Sequence, residues 1–180
     1  MIKLDGIFEL DITAKTKSFK KKEIIQRKGA TNTRSYYIKK GLLRAYIIDD
    51  NGKEHTYMFA PEEWILSDLE ALESNDPVEL YIDCLEDSEI VVFDKESLFN
   101  AKLGQEKLVE NTKLLWRRIG KLQRRVIMLM SSPAIDRYNY FLKTYPELPN
   151  RVPQHMIATY LGITPQALST IKGKVVRTKD

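Results

Sequence analysis

Cysteine occurs once in 180 residues, at Cys84, which excludes an intramolecular disulfide and any all-cysteine metal or iron–sulfur site within one chain. Histidine occurs twice, and His55 and His155 fall in separate predicted domains, so they cannot converge as metal ligands in a cupin-like barrel. A single strand histidine such as His55 reads as an ordinary surface or core residue rather than a haem ligand. No stretch of eighteen apolar residues exists to span a bilayer. The opening residues, Met1 to Asp11, carry acids inside a short apolar stretch and do not form a signal peptide, so a cytoplasmic protein is expected. A glycine-rich phosphate loop, a nucleophile elbow and a zinc pair are missing as well. No enzyme is therefore expected, and neither a cofactor nor a metal.

Charge is present in quantity but unevenly placed. The net is only +4, from 29 Lys and Arg against 25 Asp and Glu. Residues 1–112 hold 16 basic and 22 acidic side chains, whereas residues 113–180 hold 13 basic and 3 acidic, a net of +10. That asymmetry points to a C-terminal half that meets a polyanion and an N-terminal half that does not. A solvated basic helix face would produce the same count.

The segment Val152 to Val175 favours the polyanion reading. It predicts a helix, a tight turn at Gly162 and a second helix. Ile157, Ala158 and Leu161 line the inward face of the first, while Thr164 caps the second with Pro165 at its first position. Leu168 and Ile171 face inward, leaving Gln166, Ser169, Thr170, Lys172 and Lys174 outward. A short polar helix of this kind fits the major groove of DNA. An ordinary helical hairpin is the plainer alternative. The candidate DNA-binding residues are Gln154, Thr164, Pro165, Gln166, Ser169, Thr170, Lys172 and Lys174.

Upstream, residues 18–95 read as short strands at regular intervals, the signature of a small antiparallel sandwich or barrel. Asp49-Asp50-Asn51-Gly52 carries the strongest hairpin signal, and Asn51-Gly52 predicts a type I′ turn. Glu62 to Ser74 reads as a helical or irregular excursion. From about Lys95 the pattern becomes helical. Leu108, Leu115, Leu122 and Leu129 recur every seven residues, with Thr112, Ile119 and Val126 four positions on, an a/d seam of roughly three heptads. This seam predicts a dimer interface, flanked by Arg117, Arg118, Lys121, Arg124 and Arg125. A single amphipathic helix lying on the sheet domain is the competing reading. Ser131-Ser132-Pro133 ends that helix, and Ala134 to Tyr145 begins the next.

These features in this order resemble the Crp/Fnr family of bacterial transcription regulators. Phe19-Lys20-Lys21-Lys22-Glu23, Ile38-Lys39-Lys40-Gly41-Leu42, Leu122-Gln123-Arg124-Arg125 and Val152 through Pro165 carry the likeness, which covers nearly the whole chain. It implies an α+β protein: a jelly-roll-like antiparallel β-roll of the cyclic-nucleotide-binding type at 1–104, a dimerisation helix at 105–132 and a helix-turn-helix domain at 133–180. It further implies double-stranded DNA, a second copy of the chain and RNA polymerase as partners. Family members that bind cyclic AMP have a glycine-containing phosphate cassette ending in Arg-Ser or Arg-Thr. The matching region here, Glu62 to Glu79, has no arginine, and none occurs from Pro61 to Phe93. An acidic loop without a guanidinium fork should repel a cyclic phosphate, so cyclic nucleotide is not the expected effector. The effector itself stays unidentified. On the reading helix, relatives commonly carry arginine and glutamate where this chain has Pro165, Gln166 and Thr170, so a different operator is expected. No wing is expected after the reading helix. A ligand-sensing or protein-interaction module whose helix-turn-helix no longer binds DNA remains the alternative.

Overall fold

The computed structural model describes residues 16–74, 76–94 and 105–177. They divide into two compact units. One comprises residues up to Ile47 together with Tyr57–Lys113, and the other comprises Ile48–Thr56 together with the chain from Leu114 onward.

The chain forms eight strands: β1 (Thr16–Phe19), β2 (Ile24–Gln26), β3 (Arg34–Lys40), β4 (Leu43–Ile48), β5 (Glu54–Ala60), β6 (Ile65–Ser67), β7 (Tyr81–Cys84) and β8 (Ser88–Asp94). They form two four-stranded sheets, in orders β1-β8-β3-β6 and β2-β7-β4-β5. Neighbours in space are thus seldom neighbours in sequence, as in a β-roll. Alternation decides which side chains enter the core: Tyr36 and Ile38 from β3, Leu43 and Ala45 from β4, and Ile82 and Cys84 from β7 are all buried together. Burial pushes the Cys84 thiol up to about 12, leaving it an inert core residue.

Arg44 is buried on the other face of its strand. Its guanidinium meets its cross-strand partner Asp83 through two bonds, Nε to Oδ1 at 3.1 Å and Nη2 to Oδ2 at 2.6 Å. It also lies 4.0 Å from the Tyr46 ring centroid, and Tyr46 stacks on Tyr81.

Two strands are not legible in the sequence as such. β2 and β6 have three residues each, too few for an alternating pattern to declare itself. Within the expected excursion at 62–74 the chain forms β6 and a short helix, α1 (Leu69–Ser74). The hairpin turn also differs from expectation. Of Asn51 and Gly52, only Gly52 has a positive φ, +77°, so the turn is not type I′, which needs two. The Asp49 carboxylate is the cause: its Oδ1 accepts the amides of Asn51 and Lys53 at 2.9 and 3.0 Å, closing a longer loop.

Helix α2 (Gln105–Ser131) follows, with α3 (Ala134–Thr144), α4 (Leu148–Arg151), α5 (Gln154–Tyr160) and α6 (Pro165–Arg177). The expected helical onset near Lys95 lies outside the described residues. Pro133 separates α2 from α3 because it cannot continue the ladder. The second unit buries Tyr138, Phe141, Leu148, Ile157, Leu168 and Ile171, with Phe141, Tyr145 and Tyr160 in mutual ring contact.

Candidate nucleic-acid interface

Helix α5 ends at Tyr160, and the chain turns through Gly162, whose φ is +65°, a conformation natural to glycine. A Cβ there would also stand 3.3 Å from Arg137 Nη1 and Leu129 Cδ2. The turn is fastened by Gly162 N–H to Thr159 O and Ile163 N–H to Ala158 O, at 3.1 and 3.0 Å. Arg137 on α3 donates Nη1 to Leu161 O at 2.7 Å. Thr164 then starts α6: its hydroxyl accepts the Ala167 amide at 3.2 Å, with Pro165 next in line. Leu168 and Ile171 are buried, which fixes the rotation of α6 about its axis.

That rotation leaves Thr164, Pro165, Gln166, Ser169, Thr170 and Lys174 exposed, with Gln154 exposed at the start of α5 and Lys172 half-buried. Lys172 Nζ donates to Gln154 Oε1 at 2.9 Å, tying the two helices on this side. Thr170 donates its hydroxyl to Gln166 O at 3.1 Å, and the residue remains exposed. These outward groups are bidentate, acceptor, methyl and cationic in turn, which matches what base edges and phosphates present.

On α2 the heptad residues Leu108, Thr112, Leu115, Ile119, Val126 and Leu129 are exposed and Leu122 is half-buried. Trp116 and Met130, beside the seam, are exposed too. Around the helix, Leu114, Arg118, Arg125 and Met128 form a half-buried face. The helix thus has an exposed face that holds most of the heptad residues and a half-buried face that mixes apolar side chains with two arginines.

Residues 16–102 match the cyclic nucleotide-binding domain family. No curated protein sequence matches the chain. Among solved structures, FixK2 from Bradyrhizobium japonicum is similar with a TM-score of 0.74 and 18% identity, over 93% of this chain and 87% of that one. The c-di-GMP-responsive global regulator CLP of Xanthomonas campestris gives 0.70 and 16%, over 92% and 88%. A Crp/Fnr-family transcriptional regulator of Thermus thermophilus gives 0.70 and 18%, over 91% and 87%. This is the Crp/Fnr regulator fold.

The segment between β6 and β7 falls in the region that the resemblance matched to a phosphate cassette. Here the anion is internal. Asp68 is buried, and its Oδ2 accepts the amides of Glu79 and Leu80 at 2.8 and 3.0 Å, while its Oδ1 reaches the Ala71 amide at 3.5 Å. The Val78 amide bonds Ala30 O at 2.9 Å. The one buried guanidinium among the described strands, on Arg44, already holds Asp83.

Three residues important to the second unit carry no signal in the sequence: Thr56, Arg137 and Thr159. Arg125 reads there only as a charge flanking the seam. It donates Nη2 to Thr56 O and Tyr160 O at 3.3 and 3.0 Å and sits 4.0 Å over the Tyr160 ring. The adjacent cations in Leu122-Gln123-Arg124-Arg125 are the only available hint. Among the described residues, no group of His, Cys, Asp and Glu is placed to hold a metal ion, and no helix is long and apolar enough to cross a membrane.

Proposed function

We propose that this chain is a transcriptional regulator that binds a palindromic operator as a homodimer and does not respond to cyclic nucleotide. The observation that carries the reading is α6, with its buried Leu168–Ile171 side and its exposed polar and basic side behind the Thr164 cap. The net of +10 over residues 113–180 supplies the long-range attraction to phosphate. The exposed seam on α2 supplies a self-complementary surface, since two-fold operators call for two copies. Gln154, Thr164, Pro165, Gln166, Ser169, Thr170, Lys172 and Lys174 are the residues proposed to meet DNA. The regulator role brings RNA polymerase as a protein partner and the cytoplasm as compartment.

Against a cyclic-nucleotide effector stand Asp68, which already holds the Glu79 and Leu80 amides, and the lack of arginine between Pro61 and Phe93. A phosphate entering there would be desolvated beside a buried carboxylate with no guanidinium to offset the cost. CLP is c-di-GMP-responsive, so cyclic di-GMP belongs in the test with cyclic AMP and cyclic GMP.

Selection from random duplexes should enrich a palindrome whose half-sites lie about 34 Å apart. Calorimetry with millimolar cyclic nucleotide should give a flat trace. A saturable heat coupled to a change in operator affinity refutes the effector claim. The second reading, a sensing module with a reading helix that no longer reads, draws on the Thr170 and Lys172 bonds, both of which engage groups on the outward face. No retardation of any duplex at low salt would favour it and sink the first.

A further inference from the structure

Within the second unit, residues of α2, α3 and the end of α5 enclose a cavity of about 20 Å³. Its wall combines Met128, Leu129, Phe141 and Tyr160 with two arginines, Arg125 and Arg137, and no acidic residue lines it. A space of this size holds a water-sized particle or a little more. Arg125, Arg137 and Tyr140 are half-buried rather than sealed off, so a small solute reaches it without unfolding.

Main-chain carbonyls hold the two arginines in place. Arg137 Nη1 donates to Leu161 O at 2.7 Å, and Arg125 Nη2 donates to Tyr160 O at 3.0 Å with its guanidinium 4.0 Å over the Tyr160 ring. A carbonyl satisfies a donor but cancels no charge. Arg137 Nε is buried and has no hydrogen-bond partner among the described residues. Leaving a buried donor of a charged group unmet is more costly than leaving a neutral one, so this wall calls for an acceptor. A water can accept, but it brings two hydrogens of its own. Guanidinium groups only donate, and the Tyr160 and Leu161 carbonyls already accept. A small anion accepts from every side and brings no hydrogen.

We propose that this cavity binds a single small monovalent anion of halide size, chloride in ordinary solution, through Arg137 Nε–H and the charge of Arg125. A phosphate group is too large for the volume, which separates the site from any contact with a DNA backbone. It does not rest on the DNA-binding reading. The ion bears on Arg137, whose Nη1 holds the Leu161 carbonyl just before the Gly162 turn, so binding fastens α3 to the end of α5.

Thermal melts of the full-length protein in sodium chloride and in sodium gluconate at equal ionic strength test the site, since screening is then fixed and gluconate is too large to enter. Arg137→Lys keeps the charge and a donor for Leu161 O but has no group at the Nε position, so it reports the general effects of the two salts. Measured against that variant, the wild type should gain stability in chloride saturably. The gain should reach about 3–5 °C at about ten times the dissociation constant. Chloride should also slow amide exchange at Leu161–Ile163 in the wild type alone, and crystals grown in bromide should give an anomalous peak beside Arg137 Nε. Should Arg137→Lys fail to fold, Met128→Phe, which fills the cavity from α2, takes its place. A chloride response equal in wild type and variant overturns the site, as does a bromide map with water density only.

Discussion

Ile119→Ala is the most informative single change on α2. Leu115, Ile119 and Val126 are 53%, 46% and 48% exposed in one chain, so about half of each side chain is left for a second copy to cover. Full burial of such a side chain is worth about 1.5–3 kcal/mol, so the remaining half of Ile119 is worth about 1 kcal/mol per chain and about 2 kcal/mol per symmetric dimer. Ile119→Ala should therefore raise the dimer dissociation constant by about 30-fold. Ile119→Asp goes further, because an unpaired carboxylate in the closed seam costs several kcal/mol, yet in the monomer the same carboxylate stays in water. Sedimentation equilibrium should show monomer for Ile119→Asp at micromolar concentration, with the helical signal retained. Gly120→Ala is the control. Nothing lies within 4 Å of a Cβ at that site, and alanine favours the helix by about 1 kcal/mol, so the dimer should be at least as tight. An Ile119→Asp protein that stays dimeric would refute the seam. A dimer weakened by Gly120→Ala would refute its register.

Gln166→Ala and Thr170→Ala should relax base preference at defined operator positions, whereas Lys172→Ala and Lys174→Ala should weaken all sequences alike and lower the salt slope by about one each, as read by titration at several salt concentrations. Gly162→Ala should destabilise the protein by about 1–2 kcal/mol in denaturant melts, since alanine must hold the left-handed φ and press on Leu129 Cδ2. Bonds from His55 and from the Lys53 amide hold the Asp49 carboxyl below its ordinary 3.8. A depressed folded-state value means that the hairpin's stabilisation is present above pH 3.8 and is lost as pH falls through the folded value. Carboxyl titration by NMR should place the Asp49 midpoint below 3.8, and His55→Ala should raise it.

The helix-turn-helix is legible in the sequence because its determinants are local. The Thr164 cap, Pro165 beside it, the Gly162 turn and the Leu168–Ile171 spacing all act within a few residues of one another. The long helix α2 is legible for the same reason, a period repeated along one element. Asn51-Gly52 marks a hairpin correctly but not its turn, since the deciding group is the Asp49 side chain two residues back. β2 and β6 escape notice because three residues cannot display a period. Asp68 reads as one acid in an acidic run, and nothing in that run marks it as the residue that the Glu79 and Leu80 amides enclose. The hydrogen bonds of Thr56 are least legible: Thr56 and Thr159 are 103 residues apart, Thr56 and Arg125 are 69 apart, and no pattern links them.

The bonds made by the arginines also change what the charge count means. The excess of +10 over residues 113–180 treats every cation as available to a polyanion. Arg125 bonds Thr56 O and Tyr160 O, Arg137 bonds Leu161 O, and Arg151 lies 3.8 Å from Glu147. These guanidinium groups still raise the potential around the helix-turn-helix, but each has carbonyl or carboxylate work within the chain that a phosphate would have to displace. If the chain binds DNA as proposed, Arg125, Arg137 and Arg151 attract from a distance while holding the second unit together, and the salt slope, which counts phosphates actually neutralised, should fall well below ten.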